Sequence, residues 1–91
     1  MSIETVLAFA KPGMIDLGSY ESRNFGRILP NGLILLNRLD TWEEQLRSLL
    51  HELVHLTPEF KQYTQLLWSG EGWRDERIER TIEAISASLY T

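Results

Sequence analysis

The residues of this chain best equipped for chemistry are His51 and His55, four positions apart, with Glu52 beside the first. On a helix, residues at that spacing lie about one turn apart on the same side. Their imidazoles can then grip one divalent cation from a single direction, and Zn²⁺ suits such a nitrogen pair. Imidazole ligates when neutral, and a water activated beside it needs a carboxylate to take its proton. Glu52 is the candidate base. The run His51-Glu52-Leu53-Val54-His55 therefore predicts a metal site that deprotonates water.

Such a site needs a helix with two unlike faces. At about 100° per residue, Trp42, Leu46, Leu49, Leu50, Leu53 and Leu56 fall on one apolar stripe. His51 and His55 lie nearly opposite it, with Glu52 on the flank between. Thr41 followed by Glu44 reads as a capping box, with Asp40 as an alternative cap, and Glu43 and Glu44 suit the first turn. Pro58 stops the helix, because the residue before proline resists helical backbone. The spacing predicts a helix over 42–56. Thr57-Pro58 then starts a short helix over 58–68, carrying Phe60, Tyr63, Leu66, Leu67 and Trp68, that ends at Ser69-Gly70-Glu71-Gly72.

Upstream, sheet signals begin at Tyr20. Phe25 to Leu29 and Leu33 to Leu36 flank Pro30-Asn31-Gly32, which predicts a hairpin with Asn31-Gly32 in a type I′ turn. An edge strand beside the metal would offer main-chain hydrogen bonds to an extended peptide. Residues 3–10 are ambiguous. Ile3, Thr5, Leu7 and Phe9 alternate as a strand would, yet Ser2 can cap a short helix, and helix or mixed structure is the favoured reading. Pro12-Gly13 closes that segment, and 14–17 form a second apolar patch.

The last element spans 73–90, with Ile78, Ile82, Ile85 and Leu89 as its core stripe. Glu76, Glu79, Glu83 and Tyr90 lie on one flank. The chain has only two histidines and no cysteine, so a third protein ligand must be a carboxylate from elsewhere in the sequence. The same lack of cysteine excludes disulfides, thiolate zinc sites and a cysteine nucleophile.

At 91 residues and 43% hydrophobic content, the chain reads as a single α+β domain over 1–91. Nine basic against thirteen acidic side chains leave a net charge of −4, which argues against a nucleic-acid partner. No apolar run approaches the roughly 20 residues needed to cross a bilayer. Residues 1–10 carry Glu4 and lack the basic start of a signal peptide. The expectation is a cytoplasmic protein with no membrane partner.

With a hairpin before it and a glutamate-bearing helix after it, His51-Glu52-Leu53-Val54-His55 resembles the gluzincin zinc peptidases, specifically the small ImmA/IrrE-like metallopeptidases. Ile82-Glu83-Ala84-Ile85-Ser86 is similar to the third-ligand segment of that group, where the ligand glutamate precedes alanine. The resemblance covers roughly residues 25–90. It implies a minimal zincin-like domain, with an antiparallel sheet or hairpin packed on the active-site helix and a C-terminal glutamate helix. It implies Zn²⁺ held by His51, His55 and Glu83, with Glu52 as catalytic base; from the acidic flank of the last helix, Glu79 and then Glu76 are the alternatives to Glu83. The chain departs from the group's pattern at Val54, Ile85 and Ala87. The implied activity is hydrolysis of a peptide or protein substrate, in the manner of limited proteolysis of a regulatory protein. Tyr63, Tyr90 or an arginine would stabilise the oxyanion, and the tryptophans Trp42, Trp68 and Trp73 could line an apolar subsite. The alternative is a non-catalytic, zinc-stabilised protein-interaction domain.

Overall fold

The computed structural model describes residues 1–11, 13–18 and 26–90. Pro12, Tyr20 and Phe25, which entered the sequence reading, lie outside the described residues. Among the described residues, four helices and a small sheet make an α+β fold. In chain order they are α1 (Ile3–Leu7), β1 (Ile15–Gly18), β2 (Gly26–Ile28), β3 (Ile34–Asn37), α2 (Trp42–His55), α3 (Lys61–Ser69) and α4 (Glu76–Tyr90), with a 3₁₀ turn at Pro58–Phe60 leading into α3. None of these helices is long and apolar enough to cross a membrane.

The sheet is mixed, in the order β1-β3-β2. β2 runs antiparallel to β3, with Ile28 opposite Ile34, while β1 runs parallel to β3, with Ile15 opposite Ile34. The expected small antiparallel sheet is thus corrected by a third strand, formed where the sequence showed only a short apolar patch. Four residues carry too little alternation to reveal a strand, and the pairing that makes one is non-local. The turn between β2 and β3 also differs from expectation. The Gly32 amide donates to the Leu29 carbonyl at 2.9 Å and the Leu29 amide to the Leu33 carbonyl at 2.8 Å, which makes Pro30 and Asn31 the corners. Gly32 follows at φ 88°, and the Asn31 side chain accepts from the Leu33 amide. Proline's fixed φ favours that corner, and only the residue after it needs the left-handed backbone that glycine adopts readily.

α2 begins as its sequence dictates. Thr41 accepts from the Glu44 amide at 3.2 Å, and Glu44 accepts from the Thr41 amide at 2.8 Å, so the capping box is complete. The helix packs on β2 and β3 with one side and on α4 with the other. Leu50, Leu53 and Val54 are fully buried, joined in one core by Val6, Ile28, Ile34, Leu36 and Ile82. Trp42, placed in the apolar stripe by periodicity, is 67% exposed instead. It sits in the first turn, before the helix reaches its neighbours. α3 starts later than its proline signal, because Pro58 opens a 3₁₀ turn, and it ends at Gly70 with φ 77°. α4 starts at Glu76 rather than at residue 73; Asp75 caps it, its carboxylate accepting from the Arg77 amide at 2.9 Å.

A 91-residue domain has a stability of roughly 5–14 kcal/mol, so one core side chain is a large share of it. Leu53, with no exposed surface, is a core side chain of the helix that carries both imidazoles. Leu53→Ala is expected to cost about 2–5 kcal/mol, read as a lower urea midpoint in equilibrium unfolding with the slope unchanged.

Candidate metal centre

Two helices build the centre. α2 contributes His51, Glu52 and His55, and α4 contributes Glu79 and Glu83. On α4 the buried side chains are Glu79, Ile82 and Ser86, at i, i+3 and i+7, so Glu79 points inward on the same line as the core isoleucine. Glu83 is one position past that line and its side chain is 48% exposed. The structure therefore exchanges the two acids relative to the sequence reading. His51, His55 and Glu79 each offer a ligand atom within 4.8 Å of the others, close enough to bind a metal ion. Glu83, expected as the third ligand, instead faces the opposite nitrogen of His51. The Glu-Ala context that singled it out says nothing of which way the helix is turned.

The convergence is on a single oxygen. Glu79 Oε1 lies 3.3 Å from His51 Nε2 and 3.3 Å from His55 Nε2. Metal bonds of about 2.0–2.2 Å at tetrahedral angles put ligand atoms roughly 3.3–3.6 Å apart, so both nitrogen–oxygen edges already have that length. The outer nitrogens are engaged elsewhere. His51 Nδ1 is 2.7 Å from Glu83 Oε2, and a carboxylate there can only accept, so Nδ1 carries the hydrogen. Thr64 Oγ1 donates to the His55 carbonyl at 2.9 Å and lies 3.0 Å from His55 Nδ1. Its one hydrogen is used, so it accepts from Nδ1. In the neutral imidazoles both Nε2 atoms then hold a lone pair toward a carboxylate oxygen. Among the described residues, three acceptors meet with no hydrogen-bond donor between them, the Arg74 guanidinium standing off at 3.7 Å from the carboxylate oxygen, an arrangement that a proton or a metal cation relieves. Second partners of this kind fix the tautomer of a metal-binding histidine.

Glu79 is held from behind. Tyr63 donates to its Oε2 at 2.6 Å and accepts from the Asp75 amide at 3.0 Å. Burial and the hydrogen bond to Glu79 push the Tyr63 phenol up to about 12. The hydroxyl is occupied in both directions, so Tyr63 supports a ligand rather than serving as the oxyanion donor its sequence position suggested. Burial acts to raise the Glu79 carboxyl, but hydrogen bonds with His51 and His55, made when Nε2 carries a proton, and with Tyr63 outweigh it and hold the group well below the usual carboxylate range. For His51, burial acts to lower the imidazole. Glu79, Glu52 and Glu83 together overcome it and raise His51 above 6.5.

Glu52 lies beside this group, buried at 8% exposure. Burial raises its carboxyl above the ordinary value, against the pull of His51 and His55, while the Ile28 amide favours its ionised form. An elevated carboxyl next to a cation site suits a proton acceptor working near neutrality. The four side chains His51, Glu52, His55 and Glu79 open onto a cleft of about 730 Å³ whose walls include Ile28 and Trp68. The Trp68 indole N–H donates to the Ile28 carbonyl at 3.2 Å, closing the outer edge of β2 at that residue. Of the three tryptophans, Trp68 lines the cleft, while Trp42 and Trp73 stand 67% and 91% exposed.

The chain matches no protein-family model, no curated protein and no solved structure.

Thr64 and the Asp75 amide had no signal of their own in the sequence. Glu79 had one: it shares a helix line with Ile82 and Ser86. Two outcomes follow from this geometry. Glu83→Gln should weaken zinc binding about 10–100-fold, the usual effect of a ligand's supporting partner, and Glu79→Gln should weaken it more, both read by competition with a chromogenic chelator. The second concerns pH. In the metal-free chain, the raised His51 stabilises the fold fully below 6.5 and loses that contribution as pH rises through its folded value. The lowered Glu79 stabilises it fully above 4.5 and loses that contribution as pH falls. Thermal unfolding should show the contribution of the His51–Glu79 pair at its greatest between those two values, while the raised Glu52 subtracts from stability as pH climbs above 4.5. Added zinc should raise the midpoint increasingly as pH climbs past that window, because the metal displaces the His51 proton.

Proposed function

We propose that this protein is a zinc-dependent peptide hydrolase of the gluzincin type, with His51, His55 and Glu79 as ligands and Glu52 as base. The observation that carries the reading is the meeting of two Nε2 atoms and Glu79 Oε1 while both outer nitrogens are already hydrogen-bonded. Two imidazoles and one carboxylate, without thiolate, form a donor set suited to catalytic zinc. A cation held there supplies Lewis acidity, polarising a carbonyl and bringing the pKa of water towards about 7.

The chain's own groups do the rest. Glu52 takes a proton from the attacking water and delivers it to the departing amine nitrogen. Its burial raises the carboxyl, which favours taking the proton in the first step. Glu83 and Thr64 hold the two rings in one tautomer, and Tyr63 holds Glu79, so the donors need little rearrangement. The cleft, about 730 Å³ with Glu52 on its wall, is the space that favours catalysis over a purely structural metal. The resemblance to the ImmA/IrrE-like peptidases agrees with the reading and suggests a regulatory protein as substrate.

A second reading, a zinc-stabilised interaction domain without activity, draws on a different observation. The centre lies at the α2–α4 interface, and Tyr63 ties α3 into it, so a cation there would also brace a small core.

Glu52→Gln separates the two. Under the hydrolase reading, the zinc content stays at one equivalent by elemental analysis and casein hydrolysis falls by about 10²–10⁴-fold. Undiminished hydrolysis by the zinc-loaded variant would remove Glu52 from its role, and a wild-type chain that binds zinc and cleaves nothing would favour the second reading.

A further inference from the structure

Attack on a peptide carbonyl builds negative charge on its oxygen, and a preorganised donor at that oxygen is worth much of the acceleration. Among the described residues, neither Tyr63 nor Tyr90 supplies it. Tyr63 has its hydroxyl engaged by Glu79 and Asp75. Tyr90 packs against the apolar core and is not among the cleft residues. Arg47 reaches the cleft, but its guanidinium is paired with Glu83 at 3.4 Å, on the Nδ1 side of His51.

Arg74 is placed differently. It stands in the loop between α3 and α4, lines the cleft, and brings Nη1 to 3.7 Å from Glu79 Oε1, the oxygen that both imidazoles face. Its Nε is held by Glu76 at 3.0 Å, which orients the fork. The side chain is 65% exposed and so has room to turn. With Oε1 engaged by a cation, the guanidinium loses its attraction to that oxygen, and its terminal nitrogens become available to an anionic oxygen in the cleft. A planar guanidinium grips such an oxygen more firmly than an ammonium does.

We propose that Arg74 is a catalytic residue of this site, the donor that binds the carbonyl oxygen as it turns negative. The role rests on the hydrolase reading above and adds to it one named residue.

The test uses inorganic phosphate, a tetrahedral oxyanion, titrated calorimetrically into the zinc-loaded full chain. Arg74→Gln is expected to bind phosphate about 10–100-fold more weakly than wild type, with zinc binding unchanged or tighter, since a neighbouring positive charge is gone. Arg80→Gln removes the same charge from an exposed position on α4 outside the cleft, and should leave phosphate binding as in wild type. On labelled casein, Arg74→Gln should lower kcat by about 10²–10³-fold with KM nearly constant, the pattern of an interaction made only in the transition state. Arg74→Lys should recover part of the loss. Equal phosphate affinity in wild type and Arg74→Gln would overturn the proposal, as would undiminished kcat in a variant whose wild-type parent is active. Zinc binding without any hydrolysis by wild type would remove the hydrolase reading, and this role with it.

Discussion

The contact on which this molecule turns is Glu79 Oε1 against two imidazole nitrogens. A buried carboxylate is costly unless positive charge or hydrogen-bond donors surround it. Here Tyr63 provides one donor, and the two rings provide nitrogens that are acceptors when neutral. The Arg74 guanidinium stands 3.7 Å from the same oxygen, beyond hydrogen-bond length, so the carboxylate is fully satisfied only if a proton or a cation joins the group between the rings. A proton on His51 achieves this partially, and the raised His51 pKa reflects it. The same field that holds the proton would hold a divalent metal, with the advantage that one ion serves both rings at once.

Around this contact the fold appears as a set of supports. α2 is gripped on its apolar side by the sheet and on its polar side by α4, so the histidines are not on an open face as periodicity alone suggests. His55 and Glu52 are both buried. Each charged or polar group near the centre is then held by a group from a different element: Glu83 from α4 on His51, Thr64 from α3 on His55, and the Ile28 amide from β2 beside Glu52. Asp75 adds a longer link. Its carboxylate caps α4 while its amide holds Tyr63, so the start of the helix carrying Glu79 is joined to the residue that steadies Glu79.

What the sequence revealed was whatever depends on local spacing. The pair His51 and His55, the base between them and the Thr41–Glu44 cap all follow from residues within one or two turns. The choice between Glu79 and Glu83 depends on how α4 is rotated against α2. That rotation is set by burial of Ile82 and by Tyr63 reaching across from α3, neither visible in a four-residue context. β1 was missed for a related reason, since a four-residue strand exists only because β3 lies beside it. Trp42 departs from the helical stripe that periodicity extends to it, since in the first turn of α2 it stands 67% exposed. The hairpin turn moved by one residue because Pro30 takes a corner that Asn31-Gly32 alone would have filled.

The hydrogen bond from Trp68 to the Ile28 carbonyl changes how the outer side of β2 meets a visitor. A polypeptide laid along that border finds the Ile28 oxygen already bonded and the Ile28 amide turned toward Glu52. To zip on at that residue it must evict an indole, trading one bond for another of similar strength, about 1 kcal/mol. Indiscriminate annealing of loose chains therefore gains nothing there, and only a guest with additional grip elsewhere in the cleft can open the border.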